Sequence, residues 1–228
     1  MEAGEAIRRR MTEKILSSQD LPASNCRTVV NELLELAGRA PFHRACDEGH
    51  RSNGLLSGIE PWRFYALDAL ACRSLQKILP PEDAGKIPAM LAAADALIMT
   101  TWLPAIRKEQ AVAGEKSPGQ GEQAVDWKLD DEQARFDSTI TNMEHIAATA
   151  AAIENLLIAA TARGIANYWS SGGVLRSPSV LAQLQIPASE ILLGAVFLFP
   201  QHIGDAQRVH SKLRPRRTPP AQWSRWID

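Results

Sequence analysis

Hydrophobic positions are densest in an Ala-rich segment between residues 142 and 163. Apolar residues recur along it at steps of three and four, which is the spacing of one helix face. A second apolar row widens that face until little polar surface is left; its members are Ala148, Ala152, Leu156 and Ala159. Because a helix that is apolar most of the way round must be buried on several sides, the pattern predicts a core or subunit-interface helix.

A stop signal, a short strand and a turn of small residues follow this helix. Arg163-Gly164 is typical of a helix C-terminus, and residues 165–169 have strand propensity. The next four residues, Ser170 to Gly173, are all small. Such a turn lets backbone N–H groups come close to a flat ligand. An ordinary helix, strand and turn is the alternative interpretation of this stretch.

Elsewhere the pattern alternates helical segments with compact apolar runs. The predicted helices cover residues 3–16, 26–38, 70–79, 81–93 and 177–184. The remaining predicted strands cover residues 63–67, 94–102 and 191–199. Short apolar runs such as the last two are typical of strands covered on both faces. This order predicts an α+β or mixed three-layer α-β-α sandwich, built as a single domain over residues 1–228.

Composition limits the kinds of partner that the chain is expected to have. Apolar residues make up 45% of its 228 residues, and the formal net charge is −1. Near-neutral charge gives no global reason to expect a nucleic acid or a membrane surface as partner. The longest apolar run is too short to span a bilayer, and the N-terminal residues lack the apolar region of a secretory signal. Cys26, Cys46 and Cys72 show no CxxC spacing, which favours reduced thiols in a cytoplasmic protein.

Two polar stretches that contain Gly, residues 43–58 and 109–125, are predicted to be loop insertions or a lid. In the first of them, His43, Cys46 and His50 are residue types that bind metal ions. No second ligand pair at a familiar zinc spacing accompanies them, so we predict no metal site here.

Three consecutive arginines, Arg8, Arg9 and Arg10, lie in the first predicted helix. Guanidinium groups match phosphate oxygens bidentately, so these residues form a candidate anion site. A solvated helix face is the alternative interpretation.

A basic segment rich in Pro and Trp, residues 212–228, forms the C-terminal arm. Trp223 and Trp226 have no local partner there, which predicts that the arm packs elsewhere on the molecule or on another subunit. A nucleic-acid patch is the alternative, but the near-neutral chain and the alternation of Arg with Pro and Trp disfavour it.

Taken in order, these features resemble the nitroreductase family of FMN-dependent oxidoreductases over nearly the whole chain. They comprise an Arg-Arg start, Ala40-Pro41 ahead of a Pro61-Trp62-Arg63-Phe64 strand, an Ala-rich helix ending in Arg-Gly-Ile, a small-residue turn, the LLGAVFLFP strand and the C-terminal arm. The resemblance implies an α+β fold with a mixed or antiparallel sheet, whose long buried helix forms the interface of a homodimer. It also implies FMN at that interface.

The chemistry implied by the resemblance is ping-pong hydride transfer. NADH or NADPH reduces FMN and leaves, and a nitroaromatic, a quinone or a similar electron-poor small molecule then takes the hydride. Flavin N5 carries this chemistry, so that no catalytic side chain is expected.

The resemblance also implies cofactor-binding positions. Arg9, with Arg8 and Arg10 beside it, falls on the first phosphate-binding arginine of the family, and Arg217, with Arg216 beside it, falls on the C-terminal one.

The other implied positions surround the flavin ring. Pro61 and Trp62 lie in the segment near the flavin, and Ser170, Ser171 and Gly172 form the turn whose backbone N–H groups approach its N5/O4 edge. Donors there would stabilise negative charge on the reduced ring.

Four residues depart from the family pattern. Met11 and Glu13 stand where the family has Ser and a basic residue, Phe42 replaces a Ser, and Glu60 replaces a Gln near the flavin. Binding of the cofactor phosphate is therefore expected to be altered. A family-fold dimer that does not hold FMN productively and acts as a binding or structural protein is a second hypothesis. Another flavin reaction on the same scaffold, such as dehalogenation or flavin fragmentation, is a third.

Overall fold

The computed structural model describes residues 2–52, 56–80, 84–106, 136–212 and 216–227, so the predicted loop at 109–125 lies outside the described residues. The described strands are β1 (Glu13–Leu16), β2 (Trp62–Asp68), β3 (Ala96–Trp102), β4 (Ala166–Ser170), β5 (Ile191–Phe199) and β6 (Gln207–His210). The described helices are α1 (Ala3–Arg9), α2 (Arg27–Ala37), α3 (Glu48–Ser52), α4 (Ala69–Gln76), α5 (Ile87–Ala93), α6 (Ile140–Ala162) and α7 (Pro178–Gln183).

A four-stranded antiparallel sheet in the order β2-β3-β5-β4 lies between two helical layers. Helices α2 and α6 pack on one face through a cluster that includes Leu33, Ile153 and Leu156. The other face is covered by residues of α4, α5 and α7, among them Leu75 and Leu91. Strand β3 is buried along its whole length, as its continuous apolar run predicted. The predicted three-layer α+β architecture is confirmed, with an antiparallel sheet.

Helix α6 spans the 23 residues Ile140–Ala162 and is capped by Thr139, whose side chain accepts a hydrogen bond from the Asn142 N–H at 3.1 Å. One side of α6 packs on the sheet and on α2. The opposite side carries a stripe of mostly small or apolar residues that stay exposed or half-buried in the single chain: Ile140, Met143, Ala147, Ala150, Ala151 and Ile158. Ile140 is 67% exposed and Met143 is 63% exposed. The prediction of a long, largely apolar helix is confirmed, and Ile140 and Met143 near its N-terminus stay largely exposed in the described chain.

Among the described residues, α6 is also the one helix long and apolar enough to cross a membrane. Core helices of globular proteins meet the same two criteria, and α6 packs against the sheet as such a helix does.

The prediction of one helix over residues 3–16 is wrong. Helix α1 ends at Arg9, and Glu13–Leu16 instead forms a two-stranded antiparallel ribbon with β6. Ile15 from this ribbon is fully buried in the core. The pairing joins segments almost 200 residues apart in sequence, so local helical propensity could not reveal it.

The close packing of β4 on β5 yields a test of the fold. Gly194 lies next to an irregularity in the β3–β5 register, and a Cβ at this position would fall inside the indole of Trp169 and 2.7 Å from the Ser170 carbonyl oxygen. We predict that Gly194→Ala lowers the free energy of unfolding by about 1–3 kcal/mol, as overpacking does. Urea denaturation would measure the change. Gly38→Ala is the matched control, because its Cβ would make ordinary contacts of 3.4 Å or more. Equal stability of the two variants would contradict this packing.

Candidate functional site

The residues predicted to bind the cofactor lie at two ends of the sheet. Arg9 lies at the end where β4 begins, together with Gly164 and Asn167. The turn from Ser170 to Gly172 begins at the last residue of β4, at the opposite end. A five-residue strand spans about 16 Å at about 3.3 Å per residue. Strand β4 therefore separates the candidate phosphate end from the candidate ring end.

Glycine conformation and a half-buried arginine shape the turn. Gly172 has φ of +113° and Gly173 has φ of +52°, conformations that L side chains rarely adopt. The Gly172 N–H donates to Ser170 Oγ at 3.2 Å, which closes a tight local turn. A Cβ at Gly172 would lie 2.9 Å from Arg176 Cγ, so that a larger residue would displace the turn.

Arg176 fastens this turn to the sheet. Its Nε donates to the Ser171 carbonyl at 2.5 Å, while its Nη1 and Nη2 donate to the carbonyls of Leu192 at 2.5 Å and Leu193 at 3.1 Å. Burial lowers the pKa of the guanidinium, although arginine remains charged at neutral pH. Arg176 was not predicted from the sequence, because the contacts that define its role are made with a strand 16 residues later.

Arg9 opens onto a cavity of about 230 Å³. The cavity is lined by residues from α1, β1, the end of α6, the start of β4 and β6: Arg9, Met11, Glu13, Thr161, Gly164, Ile165, Ala166, Asn167, Pro200, Gln201 and Arg208. Arg208 Nη1 donates to Glu13 Oε2 at 2.5 Å. The cavity thus holds two guanidinium groups and one carboxylate. Arg208 was not predicted, since its position depends on the unrecognised β1–β6 pairing.

Asn167 supports the wall of this cavity. Its Nδ2 donates to the Ile165 carbonyl at 2.9 Å and to Thr161 Oγ1 at 3.2 Å, which ties the end of α6 to the start of β4. These bonds hold the Gly164 turn, where the chain adopts φ of +71°. The polypeptide beside Arg9 is therefore fixed in place.

The other two N-terminal arginines point elsewhere. Arg10 Nε lies 3.1 Å from Glu154 Oε1 on α6, and Arg8 Nε lies 3.7 Å from Glu5 Oε2 within α1. Arg9 Nε also donates to Glu5, at 2.6 Å. Of the three, Arg9 is the one that lines the cavity.

Pro61 and Trp62 lie at the same end of the sheet as the Ser170–Gly172 turn, but on the opposite outer strand. Because β3 and β5 lie between these two outer strands, three inter-strand spacings of about 4.8 Å place β2 and β4 about 14 Å apart across the sheet. Trp62 is 5% exposed, and its ring packs edge-on against Phe42 with centroids 5.5 Å apart. Phe42, the residue in place of a Ser, therefore extends the core around Trp62. Within one chain, Pro61 and the turn do not come together.

Arg216 and Arg217 are exposed on the C-terminal arm. Trp223, Trp226 and Ile227 of the same arm are 69%, 94% and 84% exposed. The arm thus presents large apolar side chains that the described chain does not cover.

The candidate metal residues do not converge. Cys46 Sγ lies 3.5 Å from the Gly58 carbonyl oxygen, and His50 Nε2 lies 2.8 Å from the Pro104 carbonyl oxygen. No group of three or more potential metal ligands occurs in the described part of the chain. Cys26, Cys46 and Cys72 are all free thiols.

An antiparallel sheet between two helical layers, with a long apolar helix on one face, is the architecture of the nitroreductase-like fold. The nitroreductase-like family protein from Bacillus cereus superposes with a TM-score of 0.61 at 17% identity, over 100% of this chain and 97% of its own. A candidate nitroreductase in complex with FMN from Desulfovibrio desulfuricans gives 0.55 at 16% identity, over 100% and 99%. The nitroreductase with bound FMN from Bacteroides fragilis gives 0.51 at 17% identity, over 100% of both chains.

The chain therefore has the nitroreductase-like fold, and the predicted resemblance is confirmed at that level. No protein-family model matches the sequence, and no curated protein matches it at a significant level.

The contacts of Arg176 predict how the turn responds when this side chain is replaced. Arg176→Leu removes the donors to three carbonyl groups, so we expect the unfolding free energy to fall by about 1–3 kcal/mol and the turn to loosen. Hydrogen exchange should accelerate most in peptides that contain residues 170–173. Arg39→Leu is the control, because Arg39 is exposed and pairs with Glu35 at 3.2 Å on α2. Unchanged exchange in the turn would contradict the fastening role of Arg176.

Proposed function

We propose that the protein is an FMN-dependent oxidoreductase that takes a hydride from NADH or NADPH and passes it to an electron-poor acceptor such as a nitroaromatic or a quinone. The observation that supports this most strongly is the arrangement along β4. An arginine-lined cavity lies at one end of the strand and a glycine turn at the other. FMN has an anionic phosphate at one end and a flat ring at the other, which matches this order of sites. The FMN-containing structures of the same fold also support the proposal.

The donor set is chemically suited to FMN. Arg9 offers the fork geometry that binds phosphate oxygens, and the C-terminal Arg217 is proposed to supply a second guanidinium when the arm is docked. At the other end, the positive φ of Gly172 and the close packing of Arg176 and Leu192 against it set the course of the backbone in a turn that a side chain at this position would disrupt. When bound, FMN supplies the hydride-accepting N5 atom.

The protein residues position the cofactor and stabilise charge. Backbone N–H groups of the Ser170–Gly172 turn are proposed to face the ring edge, where they would stabilise the negative charge that develops on reduction. The Gly172 N–H would then exchange its hydrogen bond to Ser170 Oγ for one to the ring. Arg176 keeps those donors in place before the reaction through its bonds to the turn and to β5. Preorganised donors cost little reorganisation when charge appears.

We further propose a homodimer in which α6 and the C-terminal arm form the interface. Ile140 and Met143 on α6 and Trp223 and Trp226 on the arm are large apolar side chains exposed in the single chain. A second subunit would cover them and would bring its own Pro61 segment to the turn, which the same chain's Pro61 does not reach. The free thiols support placement in a reducing compartment such as the cytoplasm.

The second hypothesis, a dimer of this fold that does not hold FMN, is favoured by one contact. Glu13 lies in the cavity and already holds Arg208, so a carboxylate lies where a phosphate would bind. Flavin content separates the two hypotheses.

Purified protein should be yellow, with flavin absorbance close to one FMN per chain after addition of FMN. Arg9→Ala and Arg217→Ala should each weaken FMN binding by about 10–100-fold, since a charge-assisted hydrogen bond contributes about 1.5–3 kcal/mol. Arg39→Ala is the control, because Arg39 is an exposed arginine just after α2 that pairs with Glu35. Colourless protein that takes up no added FMN would reject the proposed function, and unchanged affinity in both variants would reject the arginine assignment.

The interface is tested by placing a charge on the exposed stripe of α6. We expect Met143→Glu to shift the protein towards monomer, because a buried unpaired carboxylate opposes association. Leu70→Glu is the matched control, since Leu70 is 72% exposed on α4 in the other helical layer. Sedimentation velocity measures the proportion of dimer in both variants. A monomeric wild type, or dimer loss in the control alone, would contradict the proposed interface.

A further inference from the structure

A single buried arginine holds the chain where it enters β2, at residues 58–62, which we call the entry segment. Arg63 Nη1 donates to the carbonyls of Glu60 at 2.8 Å and Trp62 at 2.7 Å. Its Nη2 donates to the Gly58 carbonyl at 2.8 Å. Arg63 is only 4% exposed. Because a buried charge is costly unless it is hydrogen-bonded, these three carbonyl groups are what makes the position of the guanidinium tolerable.

Strand geometry explains how this side chain reaches the entry segment. Trp62 and Phe64 pack in a cluster with Ala148 and Ala152 of α6. Side chains alternate along a strand, so Arg63 points to the opposite face of the sheet. Strand β2 is an outer strand of the four-stranded sheet. From this edge the guanidinium reaches back to carbonyl groups that precede it by one to five residues.

Two backbone donors complete the hold on the entry segment. The Cys46 N–H donates to the Ile59 carbonyl at 3.0 Å, and the Leu103 N–H donates to the Pro61 carbonyl at 3.0 Å. All five carbonyl groups of the entry segment therefore have donors within the protein. Such a segment is suited to packing against a flat ring, because none of these acceptors has to lose water when the ring is placed.

Two other arginines bind three carbonyl groups each, and their places in the fold differ. Arg176 fastens the Ser170–Gly172 turn to β5. Arg73 is 6% exposed and lies at the other end of the sheet, where β2 ends and β3 begins. Its donors bind the carbonyls of Leu21 at 3.1 Å, of Ala69 at 2.9 Å and of Ala94. Arg73 is therefore a matched reference for a buried arginine that has only a structural role.

We propose that Arg63 is a positioning residue for the cofactor ring: it shapes the entry segment into the wall that one subunit presents to the Ser170–Gly172 turn of its partner. The inference rests on the proposed function. Within one chain, β2 and β4 lie about 14 Å apart across the sheet, so the entry segment and the turn meet only across the proposed dimer. Arg63 thus acts on the partner's site, whereas Arg176 acts on the site of its own chain.

Replacing Arg63 by leucine tests the hold on the entry segment. We expect hydrogen exchange to accelerate in peptides that contain residues 58–62, because three carbonyl groups lose their donor. FMN affinity should fall by about 10–100-fold, since the wall must then be ordered on binding. Arg73→Leu is the matched control: it also removes the donor of three carbonyl groups and lowers stability, but it should leave FMN affinity and exchange at residues 58–62 unchanged.

A second variant, Arg63→Lys, keeps the test decisive if Arg63→Leu fails to fold. Lysine retains the charge but lacks the planar fork that binds carbonyl groups of several residues at once. Its FMN affinity should lie below that of the wild type. The visible circular dichroism of bound FMN reports the surroundings of the ring, so it should change in Arg63→Lys and stay unchanged in Arg73→Leu.

Mixed dimers show which site Arg63 serves. One subunit carries Arg63→Leu, and the other carries Arg9→Ala with Arg176→Leu, which weakens its own half of the site twice; two affinity tags isolate the mixed species. If Arg63 acts across the interface, one site contains none of these changes, so half of the FMN binds with wild-type affinity. If Arg63 acted within its own chain, every site would contain a change, and the absence of any wild-type site would contradict the inference.

The outcomes separate this inference from the proposed function. Unchanged FMN affinity and circular dichroism in both Arg63 variants, in a protein that binds FMN, would overturn the role of Arg63 alone. Equal weakening of FMN binding by Arg73→Leu would likewise reduce Arg63 to a structural residue. A protein that takes up no FMN would reject the proposed function and the positioning role together, and faster exchange at residues 58–62 would then show only that Arg63 holds the entry segment.

Discussion

The burial of helix α6 is the constraint on which the rest of this structure depends. A helix of 23 residues with apolar groups on nearly every side cannot leave much of its surface in water. The sheet and α2 cover one side of it, where Ile153 and Leu156 are fully buried. Ile140 and Met143 on the other side remain largely exposed in the described part of the chain. This exposed stripe is the surface on which the proposed second subunit would pack.

The same helix links packing to the candidate chemistry. Its C-terminal end, Gly164, forms part of the cavity beside Arg9, and the strand that follows it leads to the Ser170–Gly172 turn. Arg10 is paired with Glu154 on the α6 surface, which positions the end of α1 against the same helix. The two parts of the proposed site are therefore arranged around one buried element.

Two of the four residues that depart from the pattern of the resembled family have a partner nearby. Phe42 packs against Trp62, and Glu13 pairs with Arg208. In both cases a side chain that differs in chemistry from the family residue contacts another side chain of the same molecule. These contacts explain how the fold tolerates the two changes.

Elements with a strong local signal could be predicted from the sequence. The apolar run at Ile191–Phe199 predicted the bounds of β5, and the periodicity of α6 predicted that helix to within a few residues. Strand β1 could not be predicted, because only its pairing with β6 distinguishes it from a continued helix. Arg176 and Arg208 were missed for the same reason, since their roles depend on partners distant in sequence. Local pattern thus predicted the layers, while long-range pairing decides the details of the candidate site.

The central claim is that two subunits together build a site for FMN. Sedimentation velocity with protein absorbance and flavin absorbance followed separately tests it most directly, across a dilution series that dissociates the protein. The account predicts that flavin sediments only with the dimer, at one FMN per chain, and is released as monomer appears. Flavin that sediments with the monomer, or a dimer that carries no flavin in the presence of excess FMN, would contradict it.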